Sequence, residues 1–124
     1  MELWQKQLSQ SVVKVKDLPF IPDSEEYRNK LEEVGEHYPI RINSYFLEQI
    51  TSQEDPLWKQ VVPTLEELED FVHDNLITDP LNEEVDMPVP ELVHRYPDRV
   101  LLMINNQCPI VCRFCTRKRK IGFP

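Results

Sequence analysis

Prolines cut the first ninety residues of this chain into pieces too short for anything but small helices. The sequence holds 11 prolines and only 2 glycines among 124 residues, and a proline inside a helix removes a backbone donor and clashes with the preceding turn. Between the breaks, apolar residues recur at helical intervals. Leu3, Trp4, Leu8, Val12 and Val15 predict a moderately amphipathic helix over residues 3–15, followed by the connector D-L-P-F-I-P-D. Asp23, with Glu26 one turn on, predicts a capped helix whose face is Tyr27, Leu31 and Val34 and whose stop is Gly35. Ser44 caps a short helix bearing Tyr45, Phe46, Leu47 and Ile50. Thr64 and Glu67 make a second capping box, ahead of a stripe of Leu65, Leu68, Phe71 and Val72. Trp4, Trp58, Phe46 and Phe71 are expected in the core, because a layer of short helices needs such residues to pack.

The texture changes at Asp79. Residues 79–99 hold four prolines in 21 residues and no periodicity, which predicts an extended, irregular segment. V-L-L-M-I, residues 100–104, then reads as a strand covered on both faces. It is the longest apolar run in the chain, too short to span a bilayer, and M-E-L-W-Q-K-Q-L-S-Q at the start lacks the apolar core of a secretory leader. A cytoplasmic location without membrane contact is therefore expected. With so few glycines there is no phosphate-cradling loop of either nucleotide-binding type.

The net charge of −8 conceals a division. Residues 1–91 carry 21 acidic and 7 basic side chains, whereas residues 92–124 carry 1 and 7. An acidic helical region thus precedes a basic segment. The basic segment either meets outside anions or answers the acidic region, and charge alone leaves both open.

All 3 cysteines lie in C-P-I-V-C-R-F-C, at Cys108, Cys112 and Cys115, directly after the apolar run. Disulfide pairing leaves one thiol over and suits a reducing compartment poorly. A structural zinc site needs four ligands and has only His37, His73 and His94 to supply the fourth. A cubane iron–sulfur cluster takes one thiolate per iron, so three cysteines leave one iron open, and an open metal is a reaction site rather than a brace.

C-x-x-x-C-x-x-C with Phe114 before the last cysteine resembles the signature of the radical S-adenosylmethionine enzymes. The resemblance implies a [4Fe–4S] cluster on Cys108, Cys112 and Cys115, whose open iron chelates S-adenosylmethionine, with Phe114 along the adenine. An electron from a one-electron reductant then yields methionine and a 5′-deoxyadenosyl radical. The segments D-P-L-N-E-E-V-D-M-P-V-P-E-L-V-H-R-Y-P-D-R-V-L-L and C-R-F-C-T-R-K-R-K-I-G narrow the likeness to the lysine 2,3-aminomutase family. Y-P-I-R-I-N-S-Y-F and D-P-L-W-K-Q-V-V-P-T upstream support it, so the likeness runs from about Tyr38 onward. It implies migration of an amino group between the α and β carbons of an amino-acid substrate, with pyridoxal phosphate holding the nitrogen. Arg95, Tyr96 and Arg99 match positions near the pyridoxal phosphate, where guanidinium groups suit phosphate oxygens. Arg117 matches an arginine on the substrate carboxylate. The chain departs from the family at Glu91, where the family often reads glycine.

The resemblance implies a mainly α region, residues 1–91, followed in residues 92–124 by the first strand and cluster loop of a truncated radical SAM partial (β/α) barrel. What the family carries further on, including its pyridoxal-binding lysine, is not in this sequence. The chain is therefore expected to be an N-terminal fragment, poorly ordered over residues 98–124 on its own and not competent to turn over alone. Self-association of the full-length protein stays open. Two other readings remain: a radical S-adenosylmethionine enzyme of another reaction type, without pyridoxal phosphate, and a non-catalytic metal- or RNA-binding module. The latter would use R-K-R-K, Arg117 to Lys120, on phosphates; nucleic acid is the less expected partner, because four cations beside an acidic body make a short footprint.

Overall fold

The structure, a computed structural model, describes residues 1–72 and 78–121, the side chains of residues 70–72 excepted. Its helices are α1 (Leu3–Ser9), α2 (Glu25–His37), α3 (Ser44–Leu47), α4 (Pro56–Val61) and α5 (Glu66–Val72). Two 3-10 turns, Val15–Asp17 and Glu83–Asp86, and two strands, β1 (Leu92–Tyr96) and β2 (Arg99–Leu102), complete the order. A mainly helical body is what the sequence predicts in outline; where it predicts a single strand, the structure has an antiparallel pair.

The body closes around Val15, Leu18, Leu31, Ile40, Ile42, Ile50, Trp58, Val61 and Val62. α1 ends at Ser9, not near Val15, because the Val12 N–H donates to the Ile42 carbonyl at 2.8 Å and the Ile42 N–H returns to Val12 at 3.0 Å. That cross-link turns the chain inward and buries Val15 completely. It also leaves α1 with no buried residue, so Trp4, expected in the core, stays 60% exposed.

α2 is capped one residue later than expected: the Ser24 hydroxyl accepts the Tyr27 N–H at 3.3 Å, and Asp23 turns aside to Arg28 at 3.2 Å. Leu31 and Val34 are fully buried, as their spacing predicts. Gly35 does not stop the helix, which runs to His37 and leaves through an extended Tyr38. Asn43 rather than Ser44 caps α3, its Oδ1 accepting the Phe46 N–H at 2.9 Å. Phe46 packs against the core and Ile50 is buried.

α4 went unread. Its signal is D-P: Asp55 accepts the Leu57 N–H at 2.9 Å and Pro56 takes the first helical position, whose N–H would be unpaired anyway. The helix buries Trp58, whose ring meets Phe20 edge-on at 6.0 Å. At α5 the Thr64 N–H donates to Glu67 at 3.2 Å, one half of the predicted box. Phe71, Val72 and His73 lie outside the residues whose side chains are described.

The second half departs more. Leu92–Tyr96, read as irregular, is a strand, and β2 pairs with it antiparallel, Leu92 opposite Leu102 and Tyr96 opposite Arg99. V-L-L-M-I is not covered: Val100, Leu102 and Ile104 are each more than half exposed. A lone hairpin has two faces, and among the described residues only the Glu83–Asp86 turn packs on β1, where it helps bury Val93.

Candidate functional site

The cysteine loop is stitched to the helical body. Val111 N–H donates to the Arg41 carbonyl at 2.9 Å, Arg113 N–H to the Gln60 carbonyl at 2.8 Å, and Ile110 bridges to Ile42. Alternation then sorts the side chains. Val111 and Arg113 turn inward, to 1% and 9% exposure, while Phe114 stands 69% exposed. Inside, the Arg113 guanidinium grips Glu67 of α5 with both arms, Nε to Oε1 at 3.0 Å and Nη2 to Oε2 at 2.6 Å, and its Nη1 reaches the Pro39 carbonyl at 3.4 Å.

The loop closes with a turn from Cys112 to Cys115, whose N–H donates to the Cys112 carbonyl at 3.1 Å. The Arg117 N–H then points at the Cys115 Sγ, 3.4 Å away. All three thiols are free and half-exposed. Burial pushes the Cys112 thiol up, and the nearby Cys115 and Cys108 thiols push it further. Among the described residues, however, no three His, Cys, Asp or Glu side chains converge closely enough to grip one ion. The donor set, three partly exposed thiols within one eight-residue loop, fits an iron–sulfur centre in kind.

The other residues singled out in the sequence meet elsewhere. Arg95 on β1, Tyr96 at its end, Arg99 on β2 and Arg117 after the cysteine turn line one cleft of about 240 Å³ with Glu83. The Arg99 guanidinium lies over the Tyr96 ring at 5.0 Å. Arg95 Nε pairs with Asp86 at 2.9 Å. Arg117 offers Nε to Glu83 Oε2 at 3.2 Å and Nη2 to Oε1 at 2.5 Å, and the Glu83 side chain is only 4% exposed. Three arginines and a half-exposed aromatic ring fit an anionic, flat ligand in kind.

The question that charge left open is answered by these pairs. Arg113 and Lys118 face Glu67, Arg117 faces Glu83, Arg119 faces Asp79 and Glu84, and Lys120 faces Glu91. Six of the segment's seven cations lie on carboxylates of the acidic region that precedes it, and Arg99 lies on Asp98 within the segment itself, at 3.1 Å. Glu67 and Glu83 are the ion-pair partners of the cysteine loop and the cleft that the sequence does not announce. Glu67 was legible as a cap, and the only further signal was the charge division itself. Glu91 holds the left-handed conformation that favours glycine, at φ 65°, with its carboxylate 3.5 Å from Lys120.

No protein-family model matches the chain. Curated relatives do. It is 38% identical to the L-lysine 2,3-aminomutase of Clostridium subterminale over 122 residues, which are 96% of this chain and 29% of that protein. With the L-lysine 2,3-aminomutase of Fusobacterium nucleatum the figures are 39% over 122 residues, 96% and 28%. With the glutamate 2,3-aminomutase of Clostridioides difficile they are 34% over 119 residues, 94% and 28%. The likeness therefore extends through the first helices as well, upstream of Tyr38. The class these relatives share is the 2,3-aminomutases. Within it the chain belongs by sequence to the lysine 2,3-aminomutase family, and it spans less than a third of the length of the relatives it matches.

Proposed function

We propose that this stretch belongs to a radical S-adenosylmethionine aminomutase, which moves an amino group between the α and β carbons of an amino acid. The observation that carries the reading is the single cleft shared by Arg95, Tyr96, Arg99 and Arg117, tied to the cysteine turn through the Arg117 N–H on Cys115. The names of the relatives support it. Cys108, Cys112 and Cys115 would hold a [4Fe–4S] cluster, and Arg95, Tyr96 and Arg99 would hold pyridoxal phosphate by its phosphate and ring. When bound, the cluster supplies the electron that cleaves S-adenosylmethionine, and pyridoxal phosphate supplies the seat for the migrating nitrogen.

The chain's own residues do the placing. Glu83 takes the Nε and Nη2 edge of Arg117, which leaves the Nη1 end of the guanidinium for a substrate carboxylate. The same residue's backbone sits on Cys115, so carboxylate anchor and cluster loop share one register. Phe114, exposed between Cys112 and Cys115, offers its ring to the adenine. The reductant is an outside one-electron donor and the compartment the cytoplasm. Pairing of all four cations of R-K-R-K with acids supports an enzyme over an RNA-binding module.

The test is electron paramagnetic resonance on the chain, reconstituted anaerobically with iron and sulfide and reduced, with and without S-adenosylmethionine. A reduced-cubane signal that changes when S-adenosylmethionine is added is expected. Stoichiometric zinc with no cubane signal would overturn the radical-enzyme reading. In the whole protein, interconversion of the α- and β-amino isomers of L-lysine or L-glutamate is the expected activity, and its failure in the absence of pyridoxal phosphate is the expected control.

A further inference from the structure

Glu67 does two jobs that sequence distance hides from each other. On its own helix it accepts the Thr64 N–H. Across the molecule it receives both arms of Arg113, a residue 46 positions later that sits inside the cysteine turn, between Cys112 and Cys115. The ion pair is enclosed, its side chains 7% and 17% exposed. Lys118, just past the turn, adds a second cation 3.9 Å from the same carboxylate, lies over the Tyr38 ring at 4.2 Å, and donates to the Arg113 carbonyl at 3.0 Å. The cysteine turn is thus gripped at its centre and at its exit from one carboxylate.

We propose that Glu67 is a positioning residue for the metal site: through Arg113 and Lys118 it fixes the Cys112–Cys115 turn on the helical body in the form that accepts an iron–sulfur cluster. The inference rests on the cluster reading above. The charge matters as well as the contact. Replacing the carboxylate by an amide leaves Arg113 buried and charged without a counter-charge, and a buried unpaired guanidinium escapes by swinging to water. Arg113 lies between two of the three ligands, so its escape unseats both.

The test compares the parent chain with Glu67→Gln, Glu67→Asp and the charge swap Glu67→Arg with Arg113→Glu. Each is reconstituted anaerobically with ferrous iron and sulfide. Iron and acid-labile sulfide per chain and the reduced resonance signal are read, with far-ultraviolet circular dichroism as the control for folding. Outer contacts to metal ligands are worth about tenfold or more in affinity, so Glu67→Gln is expected to need at least about tenfold more free iron for half-loading, with its helical signal unchanged. Glu67→Asp or the swap is expected to recover loading. Equal loading of the parent and Glu67→Gln would overturn the positioning role and leave the cluster reading intact. Loss of the helical signal together with iron would make Glu67 a folding residue only, and would also overturn the inference. A parent chain that forms no cluster would overturn the cluster reading, and this inference with it.

Discussion

Glu91 shows how a single letter can be visible in a sequence and unreadable there. As a departure from the family's glycine it stood out, but its meaning needs the backbone, which is left-handed at that position. A side chain with a Cβ costs about 1–2 kcal/mol in that conformation, and glycine does not. The ion pair to Lys120 is half-exposed, at 51% for Glu91, and offsets only part of the cost. Glu91→Gly is therefore expected to be more stable than Glu91→Ala by about 1 kcal/mol, since both lose the ion pair and only the alanine keeps the strain. Urea unfolding midpoints of the two variants check it; equal midpoints would show that the turn relaxes out of the left-handed region. Glu67 is the complementary case. Its local role was legible from T-x-x-E, and its distant partner was not, because nothing local ties position 67 to position 113.

The helices were legible as far as their periodicity and short-range caps go. Leu31 and Val34 were assigned to the buried face of α2 from spacing alone. Caps slipped by one residue at α2 and α3 because neighbouring polar residues compete for the same N–H, and only the backbone angles decide between Asp23 and Ser24 or between Asn43 and Ser44. Gly35 sits inside α2 rather than at its end, and that place makes a prediction. A Cβ there would meet Ile40 Cδ1 at 3.5 Å, an ordinary contact. Gly35→Ala is therefore expected to stabilise the chain by about 0.5–1 kcal/mol, measured as a raised thermal midpoint. α4 carries a pH dependence. The backbone N–H groups of Leu57 and Thr51 hold the Asp55 carboxyl below its usual range. A group whose folded value is depressed contributes stability above its unfolded value, about 3.9, and loses it as pH falls through the folded one. The stability difference between the parent and Asp55→Asn is expected to shrink as pH falls below about 4. A difference unchanged from pH 7 to pH 2.5 would show that the cap does not depend on charge. β1 was missed because prolines on both sides disguise five strand residues, and β2 was read as covered because an apolar run cannot say whether its cover is present.

At the scale of the molecule, the charge division was legible and its solution was not. Composition allowed two outcomes, and the structure takes the inward one: cations of the last thirty residues lie on carboxylates between Glu67 and Glu91. Coulomb attraction sets the sign of that meeting, but the pairing of particular residues follows from the body's shape, which no count contains. The seam also imposes an order in time. Arg113 is added to the growing chain 46 residues after Glu67 and 74 after Pro39, both of which it grips. At about 5–20 residues per second, the body waits roughly 2–10 s on the ribosome with the Glu67 carboxylate wet and its flank open. The helical body is made first and is closed by the segment that follows it, and the thiols emerge onto a surface that has been waiting for them.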